Sequence, residues 1–141
     1  MFLQFLFFNF ALATDVDNHQ CSNNYGVCSH LTADADGIYK INPSTSDKSY
    51  CSAKCSTYKV TVEGVNVPPK SFSRSKFSKI TIAATIESIG KGSFASSEIS
   101  LDFANSPNLG TIGYGAFQSC SFTEYFDISK LTSMTRVEDY A

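Results

Sequence analysis

Cys21, Cys28, Cys51 and Cys55, with His19 and His30 among them, place four thiols and two imidazoles within 37 consecutive residues. Side chains of these types support three chemistries. Thiolates and imidazoles hold zinc, a thiolate beside an imidazole is a nucleophile with its base, and paired thiols in an oxidising compartment close as disulfides. Spacing argues among them. Neither Cys pair has the C-x2-C knuckle usual for zinc. Nothing in this irregular segment specifies how either histidine would meet a nucleophile. An even cluster in an exported chain reads as two disulfides, with three pairings open. The alternative is a small secreted enzyme or zinc-binding protein built on the Cys and His residues of 14–57. The reading adopted is a non-enzymatic protein with no catalytic residue, no metal and no cofactor.

Other motifs resolve into structure rather than chemistry. Asp34, Asp36 and Gly37 fit part of a calcium loop, but Thr32 and Pro43 stand where its first ligand and its bidentate Glu belong. A turn leading into the apolar "GIYKI" is the better reading. "GKGS" at Gly90–Ser93 lacks the upstream glycine of a phosphate loop. Lys70, Arg74, Lys76 and Lys79 are interleaved with Phe72 and Phe77, which the repeats described below assign to the core, so the cations read as a solvated edge. A formal net charge of −2 gives no global attraction to nucleic acid or an anionic membrane.

The elements that must position these residues begin with the N-terminus. "MFLQFLFFNFALATDVD" is apolar from Phe2 to Leu12 and ends in the small-x-small triplet Ala11-Leu12-Ala13 that a signal peptidase accepts. A run of about 10–12 apolar residues is too short to span a bilayer. Residues 1–13 therefore read as a signal peptide, with an apolar strand or core segment as the alternative, since no Lys or Arg precedes the run. No second stretch is apolar and long enough for a membrane anchor. The 141 residues suffice for one domain with a sizeable core, and 43% hydrophobic against 17% charged residues excludes a disordered chain.

Downstream the chain repeats itself. "SIGKGSF" at 88–94 and "TIGYGAF" at 111–117 keep an Ile, two Gly and a Phe in register. With the Ile as anchor, Val67, Ile89, Ile112 and Val137 follow one another at 22, 23 and 25 residues. Ser71, Ser93, Ala116 and Ala141 recur at one offset, then Phe72, Phe94 and Phe117. Upstream of each anchor stands an apolar pair spaced by one: Val60/Val62, Ile80/Ile82, Leu101/Phe103 and Phe126/Ile128. That alternation is the period of a half-buried strand, and one strand per ~20–29 residues with a shared turn phrase is how a leucine-rich solenoid is written. A sandwich or barrel would show no shared phrase between its strands.

The stretch "FSKITIAATIESIGKGSFASS" resembles the repeat of the BspA-type leucine-rich repeat proteins, with Phe77, Ile80, Ile82, Ile86, Ile89, Gly90, Ser93 and Phe94 in the places of that family's pattern. The next unit, with "LDFANSPNL", resembles a longer variant, and Cys120 sits where the family pattern often carries a Cys after the Phe. Ala83 departs from the usual proline, and Glu138 stands where the previous unit has Gly113. The resemblance covers residues 58–141. It implies a secreted or cell-surface protein, similar to adhesins of mucosal protists and oral bacteria that bind host matrix proteins or other cells.

The expected architecture is a leucine-rich repeat solenoid: a parallel sheet with one short strand per 22–25-residue repeat, irregular returning limbs, and residues 14–57 as a Cys-containing cap over the first open strand. Lys59, Lys79, Ser100 and Tyr125 form one outward row of that sheet and Thr61, Thr81, Asp102 and Asp127 the next, a surface suited to a protein partner. Cys120 is expected as a buried free thiol. The last repeat stops at Ala141, one residue before the Phe that closes the others, so a truncated repeat with an open strand edge is expected. Membrane association would then come only through a further C-terminal part.

Overall fold

The fold is taken from a computed structural model that describes residues 34–42, 54–103, 106–125 and 127–141, with 54–58 described by their backbone alone. Ten strands, β1 (Ile38–Ile41), β2 (Lys54–Val62), β3 (Asn66–Val67), β4 (Lys76–Ile82), β5 (Ser88–Ile89), β6 (Glu98–Ile99), β7 (Leu101–Asp102), β8 (Thr111–Ile112), β9 (Ser121–Phe122) and β10 (Arg136–Val137), build two parallel sheets. In the first, β1, β2 and β4 lie side by side, β6 and β7 both pair with β4, and β9 follows β6. In the second, the order is β3, β5, β8, β10. Each turn of chain thus adds a strand to both sheets, and about four turns stack as a solenoid.

The observed register is the one the repeat implies through the third unit. In the fourth, Ile128, expected inward, belongs to no strand and is 61% exposed, and Ser121–Phe122 pairs with β6 instead. Val60 aligns with Ile80 and Ile80 with Leu101, while Val67, Ile89, Ile112 and Val137 align in the second sheet. Inward residues Val60, Val62, Ile80, Ile82, Leu101 and Phe103 bury one face of the first sheet against Val67, Ile89 and Ile112 of the second. The returning limb is more regular than expected. Two-residue strands carry no alternation of their own to read, yet their backbone groups pair at every turn.

A closing limb joins each second-sheet strand to the next first-sheet strand, and it carries the shared phrase. Phe72, Phe94 and Phe117 stack on one another at 5.3 Å between ring centroids, within 8° of parallel. Burying each ring is worth about 1.5–3 kcal/mol. Beside them, Ser75 and Ser97 each donate a hydroxyl hydrogen bond to the Phe72 carbonyl, at 2.6 and 2.7 Å. Both phrase glycines have a mechanical reason. A methyl group on Gly90 would lie 2.8 Å from the Val67 carbonyl oxygen, so only glycine lets the turns approach this closely. Gly92 and Gly115 hold φ values of 61° and 58°, the left-handed conformation that glycine adopts without strain.

β1 lies inside the segment assigned to a cap. Tyr39 and Ile41 align with Val60 and Val62 and are buried as those are, so Ile38–Ile41 adds a rung ahead of β2. The turn before it forms as expected from "DADG": the Asp34 carboxylate accepts the N–H groups of Asp36 and Ile38, both at 3.0 Å, and Gly37 takes φ 72°. Residues 1–33 and 43–53 lie outside the described residues, and with them the signal peptide, most of the segment assigned to a cap, Cys21, Cys28 and Cys51; of Cys55 only the backbone, paired opposite Phe77, is described.

Candidate functional site

The outward face of the first sheet is set by the same alternation that buries Ile80 and Ile82. Lys40, Thr61, Thr81 and Asp102 occupy one row across β1, β2, β4 and β7, and Lys59 and Lys79 neighbour each other in the next. Five of the eight expected residues, Lys59, Thr61, Lys79, Thr81 and Asp102, are therefore brought together on three adjacent rungs. The other three are not. Ser100, at the break between β6 and β7, is only 3% exposed and so offers little surface to a partner. Its hydroxyl donates to the Glu124 carboxylate at 2.8 Å. Tyr125 is fully exposed but belongs to no strand. Asp127 also lies off the sheet, where its carboxylate accepts the Ser129 N–H at 2.8 Å; that serine holds the acid below the usual carboxylate range.

Apart from Lys59, which takes part in none of the ion pairs of the described residues, the cations of this face are paired between rungs. Lys79 reaches Asp102 at 2.8 Å, Lys76 reaches Glu98 at 2.7 Å, and Lys40 reaches Glu63 at 3.8 Å, each pairing a cation with the carboxylate of the following rung. The Asp102 hydrogen bond and charge raise the Lys79 ammonium above its ordinary range. Such solvent-exposed pairs contribute at most about 1 kcal/mol each. Their greater effect is on shape, since they draw long side chains along the sheet. Lys40, Glu63 and Glu98 were missed in the sequence, and Lys76 was read there only as part of a solvated edge. Lys40 was legible from "GIYKI", where it falls between Tyr39 and Ile41 as Thr61 falls between Val60 and Val62.

The basic stretch 70–79 is split by the fold. Lys76 and Lys79 belong to this ion-paired face, whereas Lys70 and Arg74 lie on the closing limb. Cys120 is a free thiol, half-buried rather than buried, at the place in its turn that Ser75 and Ser97 hold in theirs. Burial pushes its pKa up to about 11 despite the Ser97 N–H that its sulfur accepts. Among the described residues no three His, Cys, Asp or Glu side chains gather as metal ligands, and no helix is long and apolar enough to cross a membrane.

Parallel strands stacked turn upon turn, a glycine-dependent closing phrase and a polar outward face define a leucine-rich repeat solenoid, a fold that is typically a non-enzymatic binding scaffold. The family model of the BspA type leucine-rich repeat region matches residues 44–141 in six copies, and the chain belongs to that family. The match starts nearer the N-terminus than residue 58, where the sequence resemblance began. Proteins of this family are generally protein-binding and are typically found at the surface or secreted. No curated protein and no solved structure matches the chain.

Proposed function

We propose that the chain is an exported adhesion protein that binds a protein partner through the outward face of β2, β4 and β7. The observation that carries this reading is the placement of Lys59, Thr61, Lys79, Thr81 and Asp102 on consecutive rungs. Packing fixes the inward residues of these strands and leaves the outward ones free to match a partner. The partner is a host matrix protein or another cell-surface protein, and binding needs no cofactor. Residues 1–13 direct export in this reading, and the segment 14–57, which itself contributes the rung Ile38–Ile41, closes the open end of the sheet, with Cys21, Cys28, Cys51 and Cys55 joined as two disulfides.

Capture of surface-matrix proteins by the purified secreted chain tests the binding. A Thr61→Arg/Thr81→Arg variant of unchanged thermal midpoint is expected to lose the captured protein. Retention by that variant would move the binding site off this face. Mass measurement after alkylation tests the disulfides, with four alkylatable thiols in the unreduced protein, beyond Cys120, as the contrary result.

A further inference from the structure

The closing limbs form a second polar surface, and its charge is not balanced. Three residues beyond each anchor the chain turns left-handed, at Lys70, Gly92, Gly115 and Tyr140, with φ between 57° and 61°. Where glycine occupies that place no side chain projects, so Gly92, Gly115 and Ala95 leave a trough running across three turns. Lys91, Tyr114, Arg74, Ser96 and Gln118 line it. Lys70 takes the place of the repeat's glycine at one end, and its Cγ lies 3.7 Å from where a methyl on Gly92 would stand.

We propose that this trough binds a sulfated polysaccharide. No carboxylate is among its lining residues, and Lys70, Arg74 and Lys91 take part in none of the ion pairs of the described residues. The nearest acids, Glu138, whose carboxylate accepts the Tyr114 N–H at 2.8 Å, and Asp139, lie one turn on at its far end. The floor N–H groups are spent between turns: Gly92 donates to the Tyr114 carbonyl and Gly115 to that of Asp139, both at 3.0 Å. Recognition therefore falls to side chains, with point charges for sulfates and the Ser96 hydroxyl and Gln118 amide for sugar hydroxyls. A nucleic acid would ask for a free aromatic face to stack on. The one aromatic ring in the trough, Tyr114, already carries the Lys91 ammonium over a face, 5.1 Å from its centroid, and meets Tyr140 in a T-shaped contact at 5.6 Å. A membrane surface would ask for apolar side chains to insert, and the trough presents only Ala95 and the Tyr114 ring.

Fluorescence anisotropy of a labelled heparin oligosaccharide with the full secreted chain tests this. The triple variant Lys70→Gly/Arg74→Gln/Lys91→Gln is expected to weaken binding by about tenfold or more near physiological salt. Lys70→Gly alone restores the repeat's glycine at a left-handed residue, so it should weaken binding while leaving the thermal midpoint unchanged or higher. The strand-face variant Lys76→Gln/Lys79→Gln should bind within about twofold of the parent, and the desulfated oligosaccharide should not bind. Undiminished binding by the triple variant overturns the proposal. So does equal binding of the desulfated sugar, or binding as tight to duplex DNA or phosphatidylserine vesicles of matched charge.

Discussion

The second and third turns of the solenoid and its last turn use the same kinds of residue and bury them very differently. Ile89 and Ile112 are 1% and 9% exposed, whereas Val137, aligned with them in the same sheet, is 61% exposed. The aromatic residues show the same gradient: Phe72 and Phe94 are enclosed, Phe117 is partly covered, and Phe122, Tyr125 and Tyr140 face solvent. Each residue's own turn supplies only one wall of its site. Burial in this fold is therefore conferred by the next turn, and an identical side chain has a different energetic role according to its rung.

The sharpest way to break that comparison is to remove matched side chains from the two regions. Phe94→Ala deletes a ring stacked on both sides and should lower stability by about 3–5 kcal/mol, read as a shift in the denaturant midpoint at constant slope. A loss well under that range would mean that the closing limb contributes little to the core. Gly113→Ala should come next. Its added methyl would lie 3.0 Å from backbone atoms of Gly90 and Lys91, and overpacking of this kind costs about 1–3 kcal/mol. At the same place one turn on a side chain is already accommodated, with the Glu138 carboxylate accepting the Tyr114 N–H at 2.8 Å, so a cost for Gly113→Ala within about 0.5 kcal/mol would remove the distinction between the turns.

Cys120 lies between the two regions and can be followed by pH. Its folded pKa, about 11, stands above the ordinary 9.0, so the unfolded chain loses the thiol proton first. Stability should be unaffected by this group below pH 9 and should fall as pH rises from 9 towards 11. Subtracting the profile of Cys120→Ser isolates the effect, because serine already occupies this place in the two preceding turns. Identical profiles would show the thiol to be open to water. Smallest of all should be Val137→Ala, within about 0.5 kcal/mol of the parent. Hydrogen exchange sharpens the same contrast. Amides of 122–141 should exchange faster than those of 76–112 in a monomeric sample, and appending one further repeat should slow them.

How much of this was legible depended on whether a residue's place is fixed by its own repeat or by a neighbour. The anchors Val67, Ile89 and Ile112 recur in one phrase, so their alignment follows from sequence alone. Ile38–Ile41 carries the strand alternation without the phrase after it, and it passed as a segment apart from the sheet. Ser100 followed the alternation on paper, but it stands at the break between β6 and β7 and is covered there, its hydroxyl bonded to Glu124 of the next turn. The trough was invisible for a different reason: Lys91 and Tyr114 share one offset in the phrase, but Lys70 stands at the glycine's place and Arg74 further along the limb, and only the stacking brings them together. The sequons of chemistry in the first 57 residues pointed elsewhere, to thiols and imidazoles that the described face does not use.

The hydrogen bonds that join one turn to the next run along the solenoid axis, as from Phe72 to Ser93 and from Phe94 to Ala116. A tensile load on that axis therefore meets them one row after another instead of all at once. Under such a pull the molecule would yield like a zip from its thinly covered end, each released turn of 22–25 residues paying out about 75–85 Å of slack chain. A tether of this kind lengthens in steps at low force and so damps a sudden tug, provided the anchored end is the well-buried one.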